Sequence, residues 1–114
     1  MTGFELTNKA KSDLKIIAIY TQNTWGKRQR NIYLTKLDKS FYSLATDHLK
    51  GRDCSEIRIG YRKYNVGKHI IFFREVNANL IEIVRILHER MDIETHLSPC
   101  VRIVVASNFK KNKI

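Results

Sequence analysis

The stretch Glu56-Ile57-Arg58-Ile59-Gly60-Tyr61-Arg62-Lys63-Tyr64-Asn65-Val66-Gly67-Lys68-His69-Ile70-Ile71-Phe72-Phe73-Arg74-Glu75-Val76-Asn77-Ala78-Asn79-Leu80-Ile81-Glu82-Ile83-Val84-Arg85-Ile86-Leu87 decides the fold. Ile57, Ile59 and Tyr61 alternate with Arg58, Gly60 and Arg62, a period of two that predicts a strand with one solvated face. Asn65 to Lys68 has turn chemistry, and the nearly unbroken apolar run His69 to Val76 that follows suits a central strand. Asn77-Ala78-Asn79 predicts a second turn, and Leu80 to Leu87 intersperses Glu82 and Arg85 among branched aliphatics. Three consecutive strands joined by short turns predict an antiparallel meander.

Upstream the period changes. Phe4 and Leu6 form a short apolar segment, and Thr7 or Asn8 can cap a helix by accepting an orphan backbone N–H. Ala10, Leu14, Ile17, Ala18, Thr21 and Trp25 keep the spacing of three and four that aligns one helical face. Trp25-Gly26 breaks that stripe, and a second one begins at Tyr33 and continues through Leu34, Leu37, Phe41, Leu44, Ala45 and His48. Gly51 should end the second helix, with Lys50 to Ser55 as a loop. A helical hairpin with two apolar faces must bury them on the sheet, so the fold class is α+β, a helical hairpin packed on a small antiparallel sheet in the order β-α-α-β-β-β.

With 114 residues, 43% of them hydrophobic, the chain can build one modest core. No apolar run approaches the roughly 20 residues of a membrane span, and Met1 to Phe4 is unlike a secretory signal, so a cytoplasmic location and no membrane partner are expected. Cys54 and Cys100 make neither a disulfide framework nor a zinc spacing. The net charge of +10, from 21 basic and 11 acidic residues, points to an acidic protein segment or a nucleic acid as partner, and its even spread fits an acidic segment at least as well.

Several short motifs resemble the ParE branch of the RelE/ParE toxin superfamily. They are Ala10-x-x-Asp13-Leu14, Tyr20-Thr21 followed by Trp25-Gly26, Glu56-Ile57-Arg58-x-Gly60-Tyr61-Arg62-Lys63, Gly67-x-His69-x-Ile71-Phe72-Phe73, and Ile86-Leu87-His88-x-Arg90-Met91-Asp92. Their order covers about residues 4 to 97, so residues 1–97 are expected to form the toxin-like domain and residues 98–114 a separate tail, which could pack as an added strand. One departure is Asp47-His48, where such proteins usually carry a proline near the end of the second helix. The resemblance implies a toxin of a type II toxin–antitoxin system that inhibits or poisons DNA gyrase, is neutralised by a ParD-like antitoxin, meets operator DNA only through that antitoxin, and uses no cofactor and no active site.

The rival within the superfamily is a RelE-like ribosome-dependent messenger RNA endonuclease. Cutting with a ribose 2′-OH needs a proton acceptor and cations around the phosphorane, which that branch supplies as Arg, Lys and Tyr. By resemblance, His69 replaces the central-strand arginine, Glu89 the later one, and Thr95 is nearest to the tyrosine. A third reading is a degenerate member that only binds antitoxin. His69 is weighed as a hydrogen-bonded structural residue. His88, Asp92 and His96 fix no common metal geometry, and Cys54 has no base beside it in sequence.

Candidate target-binding residues are Arg58, Arg62 and Lys63 along the first meander strand, and His88, Arg90, Met91 and Asp92 after the last one. Candidate antitoxin-binding residues are Tyr20, Trp25, Tyr33 and Leu37 on the hairpin, where an acidic amphipathic helix could lie in an apolar groove. For Trp25 a buried core position weighs more than an exposed one.

Overall fold

The computed structural model describes residues 3–90. Strand β1 (Gly3–Leu6) leads into helix α1 (Asn8–Trp25), then helix α2 (Lys27–Thr46), a 3-10 turn (His48–Lys50), the two-residue strand β2 (Arg52–Asp53), and strands β3 (Tyr61–Val66), β4 (His69–Asn77) and β5 (Leu80–His88). The sheet order is β1-β5-β4-β3-β2. The meander β3-β4-β5 is antiparallel as its sequence predicts, whereas β1 pairs with β5 in parallel, so the sheet is mixed. The parallel edge follows from β1 and β5 lying at opposite ends of the chain with the hairpin crossing between them.

Thr7, not Asn8, caps α1. Its side-chain oxygen accepts the Ala10 N–H at 3.0 Å and its hydroxyl donates to the Val84 carbonyl at 2.7 Å, where the β4–β5 register shifts. One hydroxyl thus satisfies an orphan helix donor and ties the helix start to an irregularity of β5. Gly26 alone separates the two helices, at φ +93°, a left-handed value that disfavours any side chain bearing a Cβ. Helix α2 begins at Lys27, six residues before the Tyr33 stripe, because its first turns are polar and carry no apolar signal.

Ile17 of α1 and Leu37, Phe41 and Leu44 of α2 pack with Val66, Ile71, Phe73, Ile83 and Ile86 on one face of the sheet. On the opposite face Cys54, Ile70, Phe72 and Leu87 form a second cluster, joined by Ile57 and Tyr61. Residues 54–60 are therefore not a strand. They form a turn-rich cover, with Ile57 N donating to Cys54 O at 2.9 Å and Tyr61 N to Arg58 O at 3.1 Å. The alternation of Ile57 and Ile59 misled because Ile57 packs inward while Ile59 is 89% exposed. The loop expected over Lys50 to Ser55 includes β2, which pairs Arg52 with Lys63 and Asp53 with Arg62.

Asp13 fastens α1 to the sheet. Its carboxylate accepts from Arg85 Nε at 2.8 Å, from the second Arg85 nitrogen at 2.9 Å and from Ile86 N at 2.9 Å. The contact fixes where the N-terminal half of α1 lies relative to the end of β5. No helix among the described residues is long and apolar enough to cross a membrane. The tail 98–114, like Met91, Asp92, Thr95 and His96, lies outside the described residues.

Candidate interaction surface

At one end of the domain, the end of α1, the start of α2, the β3–β4 turn and the end of β5 surround a cavity of about 620 Å³ lined by Tyr20, Thr21, Trp25, Gln29, Tyr33, Gly67, Lys68, His69, His88 and Arg90. This size falls in the ordinary range of ligand-binding clefts. Its floor is built by α2 and the turn. Tyr33 Oη donates to the Val66 carbonyl at 3.1 Å and lies 2.6 Å from His69 Nδ1. With the phenol proton on Val66, Nδ1 carries the histidine proton and donates to Tyr33, leaving the lone pair of the neutral ring on Nε2.

The turn must come close for this contact. Gly67 sits at φ +56°, and a Cβ there would lie 2.8 Å from Tyr33 Oη. Glycine is thus required twice, by backbone conformation and by the approach of the ring. His69 in turn meets His88 edge to face, with ring centroids 5.3 Å apart. His88 Nδ1 accepts the Arg90 N–H at 3.1 Å, and Glu89 N donates to Lys68 O at 2.9 Å, so the end of β5 is tied to the turn.

Burial holds His69 below its ordinary pKa, and His88 pushes in the same direction against Glu89 and Asp13. The ring is neutral at neutral pH. Burial pushes the Tyr33 hydroxyl upward, a hydrogen bond from the Lys68 backbone opposes this, and Glu89 adds to the rise. A neutral imidazole against a protonated phenol is a rigid hydrogen-bonded floor, as the structural reading of His69 expected.

The helical side of the cavity is open. Trp25 is 69% and Tyr20 63% exposed. The expectation that Trp25 fills the core is corrected: it is the last residue of α1, at the turn into α2, and most of its surface is exposed. Ile16 and Ile19 are also exposed and lie near Tyr20 on α1, at spacings of four and one. Leu37, by contrast, is fully buried among the core residues and offers no surface to an antitoxin.

Two sets of residues that sequence reasoning kept apart therefore share one cavity: Tyr20, Trp25 and Tyr33 from the hairpin, and His88 and Arg90 from the end of β5. The remaining set lies elsewhere. Arg62 Nε donates to His48 O at 3.1 Å and its terminal nitrogen to Gly51 O, so this arginine staples the segment after α2 to β3 and is not a free surface cation. Arg58 precedes β3, with its guanidinium 5.5 Å from the centre of the Tyr61 ring. Lys63 is on β3, four residues and roughly 13 Å of strand from Gly67. Sequence reasoning missed Lys68, whose participation depends on the approach of α2 to the turn. Cys54 is no nucleophile, since burial pushes its thiol up to about 11.

A second, more apolar groove of about 570 Å³ runs between the helices beside β1, lined by Leu6, Leu14, Lys15, Ala18, Leu34, Thr35, Asp38 and Phe41.

The elements that build these surfaces are matched in known proteins. The family model "ParE toxin of type II toxin-antitoxin system, parDE" matches residues 4–93, from β1 to beyond β5. Toxin ParE1 of Mycobacterium tuberculosis is 38% identical over 92 residues, covering 81% of this chain and 94% of the relative. Toxin ParE1 of Caulobacter vibrioides is 33% identical over 97 residues, covering 85% and 99%. Toxin ParE of Escherichia coli is 35% identical over 98 residues, covering 86% and 95%. The solved structure "Chromosomal ParDE TA system from P. aeruginosa" shares the fold, with a TM-score of 0.65 and 21% identity over 77% of this chain and 96% of that one. The chain belongs to the ParE toxin family of type II toxin–antitoxin systems.

Proposed function

We propose that this toxin acts by binding DNA gyrase, inhibiting or poisoning it, and that a ParD-like antitoxin neutralises it by direct contact. The observation that carries the non-enzymatic reading is the floor of the cavity. A ribonuclease of this fold would need cations around the phosphorane, and His69, which by resemblance replaces one of them, is held neutral and engaged with Tyr33. Glu89, which by resemblance replaces another, brings a negative charge close enough to act on Tyr33 and His69. A carboxylate there opposes the charge that builds up in phosphoryl transfer.

Target contact is assigned to His88 and Arg90 at the end of β5, with Arg58 and Lys63 as outlying cations. Antitoxin contact is assigned to Tyr20, Trp25 and the Ile16–Ile19 stripe of α1, an exposed apolar surface that an amphipathic helix with acidic flanks would cover. The net charge of +10 favours such a partner. Size-exclusion chromatography with purified gyrase subunits tests the reading. Co-elution with a subunit, abolished by prior addition of the cognate antitoxin, is expected. Separate elution at micromolar concentrations contradicts it.

A further inference from the structure

We infer that the cavity between Trp25 and His69 also binds a single-stranded polynucleotide segment, with a base against Tyr20 and Trp25 and the adjoining phosphates on Lys68 and Arg90. The inference does not depend on gyrase being the target, since it rests on the chemistry of the cavity walls.

Three observations carry it. First, Tyr20 and Trp25 expose most of their surface at the cavity mouth, where they support no core packing. Large exposed ring faces gathered in one concave site are unusual on a folded surface, and they are the groups on which unpaired bases stack. Second, Lys68 and Arg90 line the same cavity, whereas Glu89, whose charge reaches Tyr33 and His69 at the floor, is not among its lining residues. Beyond Trp25 the first turn of α2 continues with Lys27, Arg28 and Arg30 and has no acidic residue. Cations at a helix N-terminus oppose the macrodipole, so this run costs stability that a bound polyanion would recover.

Third, the inner wall offers hydrogen-bonding groups that suit a base edge: Gln29, the Thr21 hydroxyl and the acceptor Nε2 of neutral His69. Ring faces from α1 and cations from the turn and the end of β5 line one cavity, which suits a chain that carries both bases and phosphates. An acidic peptide would use the cations alone, and a duplex keeps its base faces stacked away from such a site.

Trp25 is the only tryptophan in the chain, so its emission reports on the site directly. The experiment titrates the full-length protein with a ten-residue oligothymidylate, with the matching dA·dT duplex, and with polyglutamate of equal charge, at several salt concentrations. Saturable quenching by the single strand, at least about tenfold tighter than by duplex or polyglutamate, is expected. Tyr20→Ala should weaken single-strand binding about tenfold. Lys68→Ala and Arg90→Ala should each reduce the salt slope by about 0.7, the value for one phosphate contact to a single strand. All three positions are on the rim, and circular dichroism verifies that each variant is folded. Absence of quenching, equal affinity for polyglutamate or duplex, or folded variants that bind unchanged would overturn the inference.

Discussion

Asp13 and Arg85, 72 residues apart in sequence, form an ion pair closed by two hydrogen bonds of 2.8 and 2.9 Å, with side chains only 9% and 15% exposed. The same carboxylate takes the Ile86 amide, so removing it deletes two hydrogen bonds of the buried guanidinium and the acceptor of a buried backbone donor together. Asp13→Ala is expected to lower stability by about 3 kcal/mol, the lower end for breaking a buried pair, as read from urea unfolding. A loss below about 1 kcal/mol would show that α1 is held by apolar packing alone.

Gly67 and Tyr33 make a second prediction. An alanine at Gly67 must hold a left-handed backbone and displace the Tyr33 ring, which together should cost about 2 kcal/mol. In a Tyr33→Ala background the steric part disappears and only the backbone part, about 1 kcal/mol, should remain. Equal costs in both backgrounds would mean that the turn moves freely away from α2.

The depressed pKa of His69 links stability to pH. The unfolded ring takes up a proton near pH 6.5 while the folded ring resists it, so the unfolded state binds more protons in that window. The contribution of His69 is present above about pH 6.5 and is lost as pH falls through the folded value. The melting temperature should therefore drop between pH 7 and pH 5, and His69→Asn, which does not titrate, should flatten that drop. An unchanged slope in the variant would remove His69 from the account.

Cys54 should be chemically silent in the native state. In a Cys100→Ser variant, which leaves Cys54 as the sole thiol, Ellman's reagent at pH 8 is expected to react only after urea unfolding, because the thiol is fully buried and its pKa is raised to about 11. Since the unfolded thiol ionises first, stability should also fall as pH rises above about 9. Rapid labelling of the folded protein would mean that the cover formed by residues 54–60 opens readily.

Elements with one clear period were legible in the sequence. The central strand from His69, the strand from Leu80 and the helix break at Gly26 are all where pattern and turn chemistry place them. The strand expected at Ile57 failed because its alternation reflects one inward anchor, Ile57, in an irregular cover. Trp25 failed because a large aromatic on a helical stripe resembles a core residue until the direction of the following helix is known. Arg62 was read as a surface cation because its acceptors, the carbonyls of His48 and Gly51, come from the segment after α2 and cannot be inferred from spacing. The cavity was half legible: its aromatic and cationic members were singled out, but only the fold brings them to one place.

The most direct test of the central claim is supercoiling of relaxed plasmid by purified gyrase with and without this protein, with a ribosome-bound messenger as a parallel substrate. Loss of supercoiling, reversed by the cognate antitoxin, and intact messenger are expected. Normal supercoiling together with cut messenger would contradict that claim and make His69 and Tyr33 parts of a nuclease site.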